Sequence, residues 1–323
     1  MNIFGKAFTI QLYGESHGES IGIIIDGMKP GIKVDYDLIK SDLDRRRPKE
    51  VGETKRVEQD EYSIESGVFN GYTTGTPIMV RIPNTNINSK SYSFSDTPRP
   101  SHTDYVSMIK YKGFNTLPGS GHFSGRLTTP IVIGGSFAKM MFNYDIQSEF
   151  IQVGNKKDQE SLDSYIKDIQ LKGNSVGAII RVVVKGVPVG LGEPFFHSTE
   201  SMIASILYSI PGIKGVSFGI GFEGVRLLGS AFNDPIIDAS GKTKTNHSGG
   251  INGGITNGND LVVNCFVRPA SSILLPQETF NFKTNQIETI KIEGRHDAFF
   301  ARRAMVVIEN AILIALADLS LRA

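Results

Sequence analysis

Residues 21–45 read Ile21-Gly-Ile-Ile-Ile-Asp-Gly-Met-Lys-Pro-Gly-Ile-Lys-Val-Asp-Tyr-Asp-Leu-Ile-Lys-Ser-Asp-Leu-Asp-Arg45. The run Ile21–Ile25 is apolar and β-branched and ends at Asp-Gly, which predicts a strand. A Gly/Pro turn follows, and then the period changes. Leu38, Ile39 and Leu43 share one face of a helix over Tyr36–Arg45. The same order recurs later. Val183-Val-Lys-Gly-Val-Pro-Val-Gly190 precedes a helical pattern over Thr199–Ser209, in which Met202, Ile203, Ile206 and Leu207 share a face. Two related halves packed around one core would produce this echo, and so would chance similarity between two turns.

Working outward, apolar runs predict further strands at Pro77–Ile82, Ala178–Val184, Val216–Ile220 and Leu261–Val267. Thr128-Thr129-Pro130 reads as a cap and proline opening a helix that runs to Phe142. Ala304–Leu321 is mostly apolar but interrupted by Glu309, Asn310 and Asp318. A membrane span wants about 20 apolar residues with few charges, so a helix buried between layers of the same protein is expected. Strands and helices alternate with hairpin-like and Gly-rich connections, which places the chain in the α+β or mixed α/β class. Lys156–Asp168 is polar and reads as a surface excursion. With no low-complexity linker between the halves, one domain over residues 1–323 is expected.

Composition narrows the function. The 323 residues carry 34 Lys plus Arg against 33 Asp plus Glu, a formal charge of +1, with 40% hydrophobic and 21% charged residues. This balance excludes disorder and collagen-like structure, and it argues against a dedicated nucleic-acid binder. Cys265 is the only cysteine, so no intramolecular disulfide or Cys-based zinc site can form. A reducing cytoplasm is the expected compartment. The N-terminal residues lack a basic stretch followed by an apolar core, so no secretory signal is expected. The 35 glycines imply many tight turns or close backbone approaches to a ligand.

Several short stretches could carry chemistry. Asp44-Arg45-Arg46-Arg47-Pro48 is either a solvated helix end favoured by the dipole or a cationic clamp for phosphate and carboxylate oxygens. His17, in Gly14-Glu-Ser-His-Gly18, and His102, in Arg99-Pro-Ser-His-Thr-Asp-Tyr105, sit in short polar segments. A loop histidine is usually a surface residue, yet its near-neutral pKa suits proton transfer. Gly119-Ser-Gly-His-Phe-Ser-Gly-Arg-Leu-Thr-Thr-Pro130 runs a Gly-rich loop into a helix N-terminus, where backbone N–H groups can face an anion. It matches neither a P-loop nor a dinucleotide fingerprint. Asn246-His-Ser-Gly-Gly-Ile251, Arg268-Pro-Ala-Ser-Ser272 and Gly294-Arg-His-Asp297 complete the set, and an acidic residue such as Asp297 before a helix is commonly a cap.

Taken together, in this order, and with Ser66-Gly-Val-Phe-Asn-Gly-Tyr-Thr-Thr-Gly-Thr-Pro-Ile78 and Gly190-Leu-Gly-Glu-Pro194, these motifs make the sequence resemble the chorismate synthase family over nearly its whole length. The resemblance implies a β-α-β sandwich with helices enclosed by antiparallel sheet layers, assembled as a homotetramer. It implies a carbon–oxygen lyase that removes phosphate from 5-enolpyruvylshikimate 3-phosphate by 1,4-anti elimination. Reduced FMN is the implied cofactor, with no net redox change. An external flavin reductant is expected, although some fungal members use NADPH (the NADP couple) to reduce their own flavin. No nucleic acid or membrane partner is expected.

By family match, His17 protonates the departing phosphate, His102 protonates the flavin, and Asp297 with Ser16 carries a proton away. Arg45, Arg46, Arg47, Arg126 and Arg303 are the expected substrate cations. His122, Phe123, Ser124, Pro211, Gly212, Gly253, Arg268, Pro269, Ala270, Ser271, Ser272 and Arg295 are the expected FMN contacts, and no metal is expected. The chain departs from the family pattern where His122 replaces an arginine, Leu127 a glutamate, Lys49 a glycine and Ala298 a proline. Gly52 falls near the place of a common arginine. The competing readings are a flavin reductase or a phosphate-binding protein without lyase activity, and an RNA-binding module built on Arg45–Arg47.

Overall fold

The computed structural model describes residues 2–53, 60–85, 96–158, 160–292 and 297–323. In chain order the first half contains β1 (Ile3–Phe4), β2 (Thr9–Gly14), β3 (Ser20–Asp26), α1 (Tyr36–Arg46), β4 (Ser63–Ile64), a small hairpin of β5 (Val68–Phe69) and β6 (Tyr72–Thr73), and β7 (Ile78–Pro83). Helices α2 (Asp104–Lys110) and α3 (Thr128–Met141) close it. The second half runs β8 (Asp145–Val153), α4 (Leu162–Leu171), β9 (Ala178–Lys185), α5 (Thr199–Ser209) and β10 (Ile213–Phe218). It continues with the single turn α6 (Gly229–Phe232), hairpin β11 (Ile251–Asn252) and β12 (Ile255–Thr256), and β13 (Leu261–Val267). Hairpin β14 (Gln277–Asn281) and β15 (Gln286–Ile290) and the long helix α7 (Ala301–Ser320) end the chain.

The two main sheets share one topology. The first has the order β1-β2-β3-β7-β4 and the second β10-β13-β9-β8. Removing β1 and reading the second sheet backwards, each half carries strand A, strand B, helix, strand C, strand D, helix, the second half inserting α4 between A and B, with spatial order A-B-D-C and antiparallel pairing throughout. The echo between residues 23–31 and 183–190 is therefore the B-strand and turn of two like-folded halves. Alternation supplies each inner face. Ile21, Ile23 and Ile25 lie opposite Ile82, Val80 and Ile78, and all six are fully buried. In the second sheet Ile180, Val182 and Val184 lie opposite Cys265, Val263 and Leu261. Burial pushes the Cys265 thiol up to about 12, which leaves it an inert core residue.

Between the sheets lies a helical layer. Helix α3 packs on β2 and β3, α7 on β8 and β9, and the two helices pack on each other, with α1 and α5 alongside. Their close approach depends on Gly134 and Gly135. A Cβ at Gly134 would stand 2.9 Å from Ile23 Cδ1, and one at Gly135 would overlap Asn310. The three polar positions of α7 each have an internal partner. Asp318 is fully buried and accepts from the backbone N–H of Lys6, Ala7 and Phe8 at 2.7, 2.6 and 3.1 Å. Glu309 accepts from both terminal nitrogens of Arg45 at 2.6 Å and from Ser148. Asn310 donates to the Val306 carbonyl at 2.8 Å. Among the described residues no helix is long and apolar enough to cross a membrane.

Four local expectations need correction. The strand expected at Val216–Ile220 is Ile213–Phe218, because Gly219 turns the chain out at φ +59°. Thr128 begins α3 but does not cap it, since its hydroxyl donates to the Gly125 carbonyl at 2.6 Å and accepts from Arg46 Nε at 3.1 Å. Lys156–Asp168 is no mere excursion, because Leu162 and Ile166 of α4 reach the core. Asp297 is not a helix cap, as α7 begins at Ala301. The Gly135→Ala variant should unfold at lower denaturant concentration. Overpacking of about 1–3 kcal/mol should exceed the ~1 kcal/mol gained in helix propensity, as read by equilibrium urea titration.

Candidate active site

Helices α3 and α7 run side by side in the same direction. Thr128 and Ala304, near their starts, line one cavity, Gly135 meets Asn310 midway, and Tyr144 just beyond α3 bonds Ser320 at the end of α7 at 2.8 Å. Two helix N-termini, one from each half, thus open at the same end, and their unsatisfied N–H groups favour an anion there. Helix α1 runs the other way. Asp35 caps its start by accepting from Leu38 N at 2.9 Å, and Asp42 holds Lys139 Nζ at 2.7 Å. Its basic C-terminus therefore arrives beside the start of α3.

The cavity, about 300 Å³, is lined by Arg46, Arg47, Arg126 and Arg303 together with Asp60 and Asp297. Each cation is braced. Arg46 donates to the Thr128 hydroxyl and to the Gly125 carbonyl at 3.0 Å, and lies 3.4 Å from Asp60. Arg126 pairs with the other Asp60 oxygen and donates to Asn84 Oδ1 at 3.2 Å. Arg47 pairs with Asp44 at 2.6 Å. Arg303 pairs with Asp297 at 2.5 Å and approaches Glu53 at 3.9 Å. Burial pushes the Glu53 carboxyl up, against the opposing pull of the Glu50 and Lys49 backbone N–H groups and of Arg303.

An adjoining cavity of about 400 Å³ shares Ser124, Gly125, Pro211, Asp297, Phe300 and Arg303 with the first. It adds His102, Ser120, Phe123, Gly212 and Arg268 through Ser272. Gly212 is required there, since at φ +98° its Cβ would stand 2.7 Å from the Phe300 ring. Two arginines cross-brace this wall. Arg268 donates to the Ser101 carbonyl at 2.9 Å, and Arg99 donates to the Ser272 hydroxyl at 3.2 Å. Asp60, Ser101 and Ser120 all have positive φ in these walls, +52°, +55° and +67°. Backbone strain of this kind, about 1–3 kcal/mol each, gathers where a site over-determines its geometry.

His102 Nδ1 lies 2.7 Å from Asp104 Oδ1, and its Nε2 lies 3.3 Å from the Ser120 hydroxyl. Asp104 is buried, which pushes its carboxyl up, but hydrogen bonds from Arg99 and His102 outweigh this and hold it well below the usual carboxylate range. His17 and Ser16 sit directly behind this wall. Gly119 has no side chain because a Cβ would overlap the His17 ring and approach Ser16 Oγ. Ser16 N–H donates to the Gly121 carbonyl at 3.1 Å, His122 Nδ1 bonds the Gly14 carbonyl at 2.8 Å, and Asn84 Nδ2 holds the Glu15 and Gly18 carbonyls at 2.9 and 2.8 Å. The loop 14–18 and the loop 119–125 are thus one unit.

Most of the expected site residues therefore meet. Arg46, Arg47, Arg126, Arg303 and Asp297 line the first cavity, and His102, Phe123, Ser124, Pro211, Gly212 and Arg268 through Ser272 line the second. Ser16, His17 and His122 are grouped behind them. Arg45 does not line either cavity. It is committed to Glu309 and so joins α1 to α7. Gly253 lies at the turn of the hairpin β11–β12 and lines neither cavity. Arg295 and His296 fall outside the described residues. Asp60, Asn84, Glu53 and Asp104 were not anticipated. Only Asp104 carried a signal, lying two residues after His102 in a quoted motif.

Fold and cavities together define an α+β sandwich protein with two adjoining cavities, one lined by four arginines, where two like-folded halves meet, and with titratable groups on the same walls. The sequence pattern of the chorismate synthase family matches residues 8–321. A chorismate synthase of Chitinophaga pinensis is 45% identical over 325 residues, spanning 99% of this chain and 97% of that one. One from Thermococcus kodakarensis is 39% identical, spanning 98% and 97%. A crystal structure of chorismate synthase superimposes with a TM-score of 0.78 at 25% identity, covering 98% of this chain and 93% of the other. The chain belongs to the chorismate synthase family, whose members are lyases.

Two expectations follow from the electrostatics. The stability difference between the wild type and Asp104→Asn should be full at neutral pH and shrink as the pH falls below about 4. A depressed folded-state pKa contributes stability only above the unfolded-state value, as denaturant titration across pH would show. Arg45→Ala should lower stability by about 1–3 kcal/mol by stranding the Glu309 carboxylate, while binding of inorganic phosphate measured by calorimetry stays unchanged.

Proposed function

We propose that this chain converts 5-enolpyruvylshikimate 3-phosphate to chorismate by reduced-FMN-dependent 1,4-anti elimination of phosphate, as the step of the shikimate pathway that serves aromatic amino acid biosynthesis. The observation carrying this reading is the convergence of Arg46, Arg47, Arg126 and Arg303 on two helix N-termini, beside a wall bearing His102 and Asp297. Substrate and FMN together bring two phosphates and two carboxylates, and a water-excluding cavity holds such charges only where cations converge. The residues present fit both groups.

Arg46, Arg47, Arg126 and Arg303 neutralise and orient the substrate, with Arg45 bracing α1 beneath them. Phe123, Ser124, Pro211, Gly212 and the stretch Arg268-Pro269-Ala270-Ser271-Ser272 would hold FMN, offering ring contacts, hydroxyls and one guanidinium. Gly253 and Arg295 join that set by family likeness, and His122 acts by fixing the loop that bears His17. Reduced FMN supplies the electron density that helps expel phosphate without net redox change. His102, once protonated on both nitrogens, offers a proton from Nε2 into the cavity, and Asp297 accepts the proton that departs; by family likeness His17, behind the Gly119 wall, gives its proton to the leaving phosphate and Ser16 serves Asp297. Closing the cavity around these groups keeps bulk water from their protons.

We read the chain as one domain working in the cytoplasm with an external flavin reductant. Self-association to a tetramer would cover apolar side chains such as Phe195, Phe196, Phe222 and Val225, which are 83–89% exposed in the single chain. Anaerobic incubation with 5-enolpyruvylshikimate 3-phosphate and photoreduced FMN should release phosphate and chorismate. His17→Ala and His102→Ala should each lower turnover by about 10²–10⁴-fold, the scale of a lost general acid. Near-normal single-turnover rates in both variants would remove these roles. Flavin binding without phosphate release in the wild type would instead indicate a flavin-binding protein without lyase activity.

A further inference from the structure

A histidine delivers a proton into a cavity from its imidazolium form, so the nitrogen facing the cavity must be the one that gains and loses that proton while the other keeps its hydrogen in the neutral ring. Around His102 one neighbour decides this. Asp104 accepts at Oδ2 from Arg99 N–H at 3.1 Å and Arg99 Nε at 2.7 Å, and at Oδ1 from Arg99 Nη2 at 2.8 Å. His102 Nδ1 completes the set at 2.7 Å from Oδ1. A carboxylate so thoroughly bonded to a guanidinium is ionised and can only accept, so Nδ1 must bear hydrogen. Arg99 Nη2 also lies 3.0 Å from Nδ1 and can only donate, but it already has Oδ1 as an acceptor at 2.8 Å, whereas Nδ1 and Oδ1 at 2.7 Å cannot both present lone pairs, so Asp104 decides the tautomer. Nε2 is left beside the Ser120 hydroxyl in the cavity wall.

We infer that Asp104 is a positioning residue for His102, fixing its imidazole as the Nδ1–H tautomer with Nε2 presented to the cavity. Arg99 extends this function. Through Ser272 it ties the same carboxylate to the wall that follows β13, so the imidazole is oriented relative to both halves of the fold. The inference rests on the reading of His102 as a proton donor, but the tautomer can be observed without substrate or flavin.

The test is long-range ¹H–¹⁵N correlation on the ligand-free chain labelled at histidine, at a pH where the ring is neutral, with His102 assigned from the His102→Gln variant. In the wild type, Nδ1 should give the pyrrole-type signal and Nε2 the pyridine-type signal. Asp104→Ala should shift His102 to the opposite tautomer, and so should Asp104→Asn, whose oxygen stays on the Arg99 N–H and Nε and turns the amide NH2 toward Nδ1, which covers the case in which the alanine variant does not fold. A wild-type ring already protonated at Nε2, or an Asp104→Ala ring unchanged in tautomer, would overturn the inference. With reduced FMN and substrate, Asp104→Ala should lose about 10–100-fold in kcat, the scale for a lost orienting partner, with KM moved less, and Asp104→Asn should lose at least as much. A shifted tautomer with unchanged kcat would instead overturn the proton-donor reading of His102, and with it any catalytic consequence of the positioning.

Discussion

Four guanidinium groups gathered at the positive ends of two helices repel one another, and the structure is arranged around that constraint. At an effective dielectric of about 20, two like charges 4 Å apart cost about 4 kcal/mol, so the cluster is tolerable only with anions among its members. Asp60 answers Arg46 and Arg126, Asp44 answers Arg47, and Asp297 answers Arg303. Four arginines against the two carboxylates in the same wall leave a net positive cavity. Such a lining favours an anionic ligand over a neutral or cationic one.

The duplicated topology makes this cluster possible. Each half ends on a helix, and the two helices lie side by side in the same direction, with Gly135 letting α3 approach Asn310 of α7 and Gly134 letting it settle on Ile23 of β3. Their N-termini then coincide, and the loops leading into them, residues 119–127 and 297–300, form the walls of the site. Stability and function are separated within the same elements. Arg45 and Glu309 brace helices from inside the layer, whereas Arg46, one residue further along α1, faces the cavity. Consecutive arginines on a helix end point in different directions, and this pair shows what each direction serves.

Much of the fold was legible. Leu261–Val267, Thr199–Ser209 and the buried final helix follow from continuous apolar runs or a clear 3.6 period, which burial on both faces demands. Strand β2, flanked on its outer side only by the two-residue β1, and the edge strand β8 were not anticipated. In Thr9-Ile-Gln-Leu-Tyr-Gly14 and Asp145-Ile-Gln-Ser-Glu-Phe-Ile-Gln-Val153 only alternate residues face inward, so the apolar signal is diluted by half. Helix α4 was passed over because its apolar residues are spaced among charges. In the site, His17, His102, Arg126 and Asp297 stood out as chemical types in short polar motifs, but Asp60 and Asn84 did not, since an isolated Asp or Asn carries no pattern.

By itself the sequence determined most of the strands and helices of the core, the buried rather than membrane-spanning final helix, and the family to which the chain belongs, because these depend on local periodicity and on the order of motifs. Tertiary structure alone decided which arginines share a cavity, that Arg45 is not among them, that Asp60 holds two of the cations in place, and that two helix starts coincide. Those facts depend on contacts between residues tens to hundreds of positions apart, and charge neutralisation across such separations leaves no periodic trace along the chain.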